Sequence, residues 1–174
     1  LVTGLQQIIS RNNNPFNPSV LSITSFQGGT TTNVIPSEVK LMGTFRAMNE
    51  EWRFEAHKLI KKYVEETAAA MGATAEVHID IGYPAVFNHV DLSQKAKDQA
   101  ALYAGKEKVF ETELRMGAED FAFYSQQIPA CFFRLGAANK AKGISSGVHT
   151  PTFNVDEDAI EQGMGMMAWL DVCV

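Results

Sequence analysis

The segment Asn49-Glu50-Glu51-Trp52-Arg53-Phe54-Glu55-Ala56-His57-Lys58-Leu59-Ile60-Lys61-Lys62-Tyr63-Val64, continuing to Met71-Gly72, sets the frame for the first half of the chain. Asn49 has the side chain of an N-cap, and Glu50 and Glu51 put negative charge at the positive end of a helix dipole. Trp52, Ala56, Leu59, Ile60, Tyr63, Val64, Thr67 and Met71 then recur at helical spacing until Gly72 offers a C′ residue. Working outward, Ser19 to Gln27 alternates Leu21 and Ile23 against Ser22 and Thr24, and Gly28-Gly29 marks a reversal. Val39, Leu41 and Phe45 share one face of the next strand, with Lys40, Met42, Thr44 and Arg46 on the other, so the two strands are expected to form a hairpin. Residues 1 to about 12 read as a helix ended by Asn12-Asn13-Asn14-Pro15. After Gly72, Ala75, Val77, Ile79 and Ile81 alternate with Glu76, His78 and Asp80, which predicts a half-buried strand. Helix, strand, strand, helix, strand is the order of a ferredoxin-like βαββαβ unit lacking its first strand. A missing strand leaves an unpaired edge, and Leu1 opens inside a helical pattern with no cap before it, so the chain is expected to be part of a longer protein.

Tyr83-Pro84 closes this unit, which places a boundary between residues 1–83 and 84–174. In the second region a helix from Asp91, with a capping-box-like Asp91 and Gln94, ends at Gly105. A short strand at Val109 to Glu113, a short helix at Glu119 to Gln126 and an apolar strand at Ala130 to Leu135 follow. A last helix from Asp156 carries Ile160, Gly163, Met164, Met167, Ala168 and Leu170 as a stripe suited to packing on a sheet. The fold class is mixed, α+β passing into α/β.

Composition narrows the partners. The 174 residues are 45% hydrophobic and 20% charged, with 15 basic against 20 acidic side chains and a formal charge of -5, which argues against nucleic acid. No apolar run approaches the roughly 20 residues that span a bilayer, so no membrane partner is expected. Cys131 in an apolar run and Cys173 at the end read as idle thiols rather than a disulfide, which favours the cytoplasm.

Chemistry is sparse. A two-metal hydrolytic centre needs about five protein ligands and a carboxylate base, whereas this chain has four histidines. His149 stands in a Gly/Pro-punctuated loop, Gly143 to Pro151, between a buried strand and a helix, where ligands gather; by spacing alone it reads first as a surface or capping residue. Glu119 and Asp120 follow Met116-Gly117-Ala118 at a helix start. Capping explains them, and lining a site is the alternative; Gly117 would permit close backbone approach to a ligand. Asn33 reads as a turn residue after Gly28-Gly29 and Arg46 as a solvated strand charge. An amide and a guanidinium on one hairpin would also bind a substrate carboxylate. His57, His78 and His89 read as structural or solvated.

Gly28-Gly29 through Asn33-Val34-Ile35-Pro36, Gly43-Thr44-Phe45-Arg46, Met116-Gly117-Ala118-Glu119-Asp120-Phe121 and Val148-His149-Thr150-Pro151, taken in order, resemble the M20 family of metallo-amidohydrolases and peptidases. The likeness is to its aminoacylase, hippurate-hydrolase and auxin-conjugate-hydrolase branch, and Gln7 to Arg11 and Tyr83-Pro84-Ala85-Val86 share it. Thr150 stands where that branch more often has Ser. The resemblance implies that residues 1–83 are most of a ferredoxin-like lid or dimerisation domain and 84–174 the C-terminal portion of an α/β zinc-peptidase-like catalytic domain. It also implies two divalent metal ions, zinc foremost, with His149 as the last metal ligand, and Asn33 and Arg46 contacting substrate, often across a homodimer. The expected substrates are N-acyl amino acids or small peptides. No catalytic residue is expected within this chain, since the family's other metal-ligand motifs and its general-base glutamate have no counterpart here. The chain alone is therefore expected to bind metal weakly or not at all and to be inactive. The rival reading is a non-catalytic dimerisation or interaction module on the same fold.

Overall fold

Two neighbouring strands supply the only ladder in the chain. β1 (Ser19–Gln27) and β2 (Lys40–Ala47) pair antiparallel from Ser19 opposite Ala47 to Gln27 opposite Lys40, with a bulge between Ile23 and Ser25. The computed structural model describes residues 1–174. These form two compact units, Leu1–Ala85 with Arg115–Glu119, and Val86–Leu114 with Asp120–Val174.

In the first unit, α1 (Val2–Gln7) runs on as a π-helical turn, Ile8–Asn12, and buries Leu5 and Ile8. Against them pack Leu21 of β1 and Trp52 and Ala56 of α2 (Glu50–Ala70), with Ile23, Phe45, Leu59, Ile60, Tyr63 and Val64 around this core. Of the expected hairpin face, Leu21, Ile23, Leu41 and Phe45 turn inward, whereas Val39, like Met42, Thr44 and Arg46, is exposed. Both ends of α2 are capped as its sequence implies. Asn49 Oδ1 accepts from the Trp52 amide at 2.8 Å. Beyond Ala70, the amides of Gly72 and Ala73 bond to the Ala69 and Ala68 carbonyls, with Gly72 left-handed at φ 72°, the geometry of a Schellman motif. Glu50 does more than complement the dipole, since it binds the buried Arg53 at 2.9 Å through Nε and accepts from the Ala85 amide at 2.9 Å.

The segment expected as a third strand does not become one. Ala75, Val77 and Ile79 are half-buried and Glu76, His78 and Asp80 exposed, so the alternation holds, yet residues 73–89 contain no strand: their backbone bonds are isolated ones, such as Ala85 to Glu50 and His89 to Ala130, and no neighbouring strand forms a ladder with them. The same holds for Val109 to Glu113 and for Ala130 to Leu135. In the latter a side chain replaces part of a neighbouring strand: the Asn88 amide donates to the Phe132 carbonyl at 2.8 Å and accepts from its amide at 2.7 Å.

In the second unit, α3 (Val90–Ala104) ends at Gly105 as expected but begins differently. His89 is its cap, Nδ1 accepting from the Leu92 amide at 3.4 Å, and Gln94 turns away to donate to Asp98, so no Asp91–Gln94 capping box forms. α4 is shorter than expected, Ala122–Ser125. α5 (Asp158–Cys173) starts two residues after Asp156 and exposes Ile160, Met164 and Met167. Of the expected stripe, Gly163 does pack, against the Leu135 side chain, and Gly165, outside that stripe, packs against the Tyr103 ring. Trp169 lies 6.2 Å from Tyr103 and donates to the Gln99 carbonyl at 3.1 Å. The helix is apolar on several sides, so periodicity alone does not distinguish the face on which glycines admit close neighbours. No helix is long and apolar enough to cross a membrane.

A Cβ at Gly43 would run into the Ser22 backbone carbonyl across the ladder, so Gly43→Ala is expected to destabilise the protein by about 1–3 kcal/mol in denaturant unfolding. Thr44→Ala on the exposed face should cost roughly 0.5 kcal/mol or less. His57 is half-buried, edge-on to Phe45 and Phe54 at 5.9 Å each. Burial first and then Arg53 hold its pKa below the usual value, against Glu50. The unfolded chain thus takes up the proton more readily. Stability from neutral His57 is complete above about pH 6.5 and declines as the pH falls below it. His57→Gln is expected to reduce the loss of unfolding midpoint between about pH 7.5 and about pH 5.5; an unchanged pH dependence would contradict the assignment.

Candidate functional site

His149 sits at the outer end of a closed loop in the second unit. Gly143 ends a short 3-10 turn, Lys140–Lys142, in the left-handed region at φ 74°, and Asn139 caps that turn by accepting from the Ala141 and Lys142 amides at 3.1 and 3.3 Å. Asn139 and Ile144 then exchange backbone hydrogen bonds. The far end returns through the Asp156 amide, which donates to the Ala137 carbonyl at 2.8 Å. Asp156 is 8% exposed, and both its carboxylate oxygens are engaged, Oδ1 by Lys142 Nζ at 2.7 Å and Oδ2 by the Asn139 amide at 2.6 Å. Lys142 also reaches Asp158 at 2.7 Å. Hydrogen bonds from Lys142 and then Asn139 hold the Asp156 carboxyl below its usual range, and those to Asp156 and then Asp158 hold the Lys142 ammonium above its own. The pair loses its contribution only as acid protonates Asp156 or strong base neutralises Lys142, so neutral pH leaves it intact.

Within this frame His149 is exposed and has φ 64°, the only positive φ outside glycine. An L-residue there bears a cost of roughly 1–2 kcal/mol. Its flanks are tied: the Thr150 hydroxyl donates to the Gly147 carbonyl at 2.8 Å, Ser146 and Thr152 hydroxyls meet at 2.8 Å, and the Phe153 amide bonds to the Thr150 carbonyl. The imidazole fits one donor position of a zinc-type centre, which takes neutral histidine nitrogens. No group of three or more His, Cys, Asp or Glu side chains gathers in the chain to complete such a centre.

The other candidates divide between the units. Arg46 and Asn33 belong to the first. Arg46 is exposed on β2, opposite Val20, and Nη1 donates to the Met116 carbonyl at 2.6 Å, which joins it to the Met116–Glu119 segment while other guanidinium donors stay available. Asn33 is exposed on the connection between β1 and β2. Gly117 has an ordinary φ, and nothing lies within 4 Å of where a Cβ would stand, so the local backbone does not demand glycine. Glu119 is half-buried and Asp120 exposed. They precede α4 rather than occupy its first turn, and only the Asp120 carbonyl bonds to it, at the Phe123 amide, so capping by their carboxylates does not explain them. His78, fully in solvent, pairs with Asp80 at 2.8 Å.

Sequence reading misses Asn139, Lys142 and Asp156 as a unit. The signal present is local: an Asn three residues before a Lys-Gly step, the pattern of a capped turn with a left-handed exit. The pairing of that turn with an aspartate 14 residues on has no periodicity to reveal it.

Comparison with known proteins places these features. Residues 7–170 match the model of peptidase family M20/M25/M40. The chain is 34% identical over 171 residues to the IAA-amino acid hydrolase ILR1-like 6 of Arabidopsis thaliana, covering 96% of this chain and 37% of the relative. It is 32% identical over 164 residues to thermostable carboxypeptidase 2 of Saccharolobus solfataricus, covering 94% and 41%. Among solved structures it is similar, with TM-score 0.77 and 30% identity, to a Bacillus subtilis protein described as a dinuclear metal binding peptidase from the M20 family, covering 98% of this chain and 43% of that one. The chain thus spans about two fifths of the length of these relatives. With the family model matched along nearly its whole length, the chain belongs to peptidase family M20/M25/M40.

Proposed function

We propose that the protein carrying this chain is a metal-dependent amidohydrolase that cleaves the amide bond of N-acyl amino acids or short peptides, with His149 as a metal ligand. The observation that carries this reading is the exposed imidazole held left-handed at the outer end of a clamped loop. Family membership supports it, as does the description of the Bacillus subtilis neighbour as dinuclear metal binding. Divalent ions, two zinc ions in this reading, would supply Lewis-acid activation of the carbonyl and of water. The general-base glutamate and the remaining ligands lie outside this chain. Residues 1–83 act as a partial ferredoxin-like lid that also forms a homodimer, and residues 84–174 as the C-terminal part of the catalytic domain.

The chain's own residues then have distinct roles. His149 offers a neutral ring nitrogen. Arg46, oriented through the Met116 carbonyl, presents its remaining donors to the substrate carboxylate, and the Asn33 amide binds the same molecule from the β1–β2 connection. Gly117, Glu119 and Asp120 line the site. Unpaired Cys131 and Cys173 support a reducing compartment, the cytoplasm.

In the full-length protein, His149→Ala is expected to lower bound zinc and turnover together, measured by metal analysis and steady-state kinetics. Full activity with full metal content would return His149 to a plain loop residue. Arg46→Lys keeps charge but loses the planar fork, so kcat/KM for carboxylate-bearing substrates should fall about tenfold, near the value of one charge-assisted hydrogen bond. If the lid acts across a dimer, subunits carrying Arg46→Lys mixed with subunits carrying His149→Ala should recover part of the activity. No recovery despite demonstrated subunit exchange would make the lid act on its own subunit.

A further inference from the structure

We propose that Lys142 and Asp156, together with Asn139, are positioning residues that hold His149 in its ligating conformation. This rests on the reading of His149 as a metal ligand. A left-handed φ of 64° in an exposed residue is not imposed by burial. It therefore has to be set by the segments on either side.

Those segments are locked at two levels. Near the histidine, the hydroxyls of Ser146 and Thr152 meet across the loop at 2.8 Å. At the stem, the buried Asp156 receives Lys142 on one oxygen and Asn139 on the other, both from the opposite side of the loop. A buried carboxylate tolerates little movement, because losing a partner leaves a charge without compensation. The stem spacing is thereby fixed. With the stem released, the intervening residues gain the conformational freedom of an open loop, and His149 spends time in ordinary right-handed and extended conformations. Metal affinity then falls in proportion to the fraction of molecules that remain competent.

The lysine acts here through the aspartate, at a distance from the imidazole. Its loss should weaken the metal without changing what the metal does once saturating. The test uses the full-length protein in five forms: wild type, Lys142→Met, Lys142→Arg, His149→Ala, and Asp156→Asn as a shape-conserving second disruption in case Lys142→Met does not fold. Zinc affinity is read by chelator competition, and amide hydrogen exchange over residues 144–153 is read on the metal-free protein.

The expected result is a roughly tenfold higher zinc dissociation constant and faster exchange in Lys142→Met or Asp156→Asn. Lys142→Arg should restore both, and excess zinc should restore turnover in Lys142→Met but not in His149→Ala. If His149→Ala loses zinc while Lys142→Met and Asp156→Asn keep wild-type affinity and exchange, the positioning role is overturned and the ligand reading stands. If His149→Ala keeps its zinc, both are overturned. Lost affinity with unchanged loop exchange would also overturn positioning, since the lysine would then act by charge alone.

Discussion

A backbone amide taken from water needs a partner, and where this chain supplies one decides which of its segments become strands. β1 and β2 find each other because they are consecutive and share one apolar face over the helix that follows. Ala75 to Ile81 has an equally clear alternation and half-buries alternate residues, yet has no ladder. Phe132 shows the intermediate case, with the Asn88 side chain standing in for one residue of a neighbouring strand. What remains firm is the packing of Leu5, Ile8, Leu21, Trp52 and Ala56, which ties α1, the hairpin and α2 into one core. Burial of apolar surface needs no particular register; hydrogen bonding does.

The same distinction explains which features are legible in the sequence. α2 is, from Asn49 to Gly72, because every signal for it is local and all of them agree: cap, acidic first turn, helical spacing and a left-handed exit. β1 is legible in full and β2 to within one residue at each end, for the same reason. The start of α3 is not, since His89 and Asp91 are both able to cap and tertiary placement chooses His89. The packed face of α5 is legible only in part: Gly163 of the expected stripe meets Leu135, whereas Gly165, which carries no hydrophobic signal, creates the space that Tyr103 fills.

At the candidate site, His149 stands out by the punctuation around it and by the order of motifs along the chain. Its left-handed backbone and the Lys142–Asp156–Asn139 clamp are invisible in the sequence, because they depend on two ends of a loop meeting. Arg46 is recognisable as a polar residue on an exposed strand face. Its bond to the Met116 carbonyl links two of the motifs that carry the family resemblance. In the proposed hydrolase these residues take separate roles: one donor for a metal, one fork for a carboxylate, and a clamp that keeps the donor in place.

The claim on which the functional account turns is that the His149 ring nitrogen binds metal. Anomalous diffraction at the zinc edge from crystals of the full-length, zinc-loaded protein tests it directly. The account predicts an anomalous peak with a His149 ring nitrogen about 2.0–2.1 Å away and the left-handed backbone retained. Zinc at full occupancy elsewhere, with the His149 ring in solvent and out of coordination range, would contradict it.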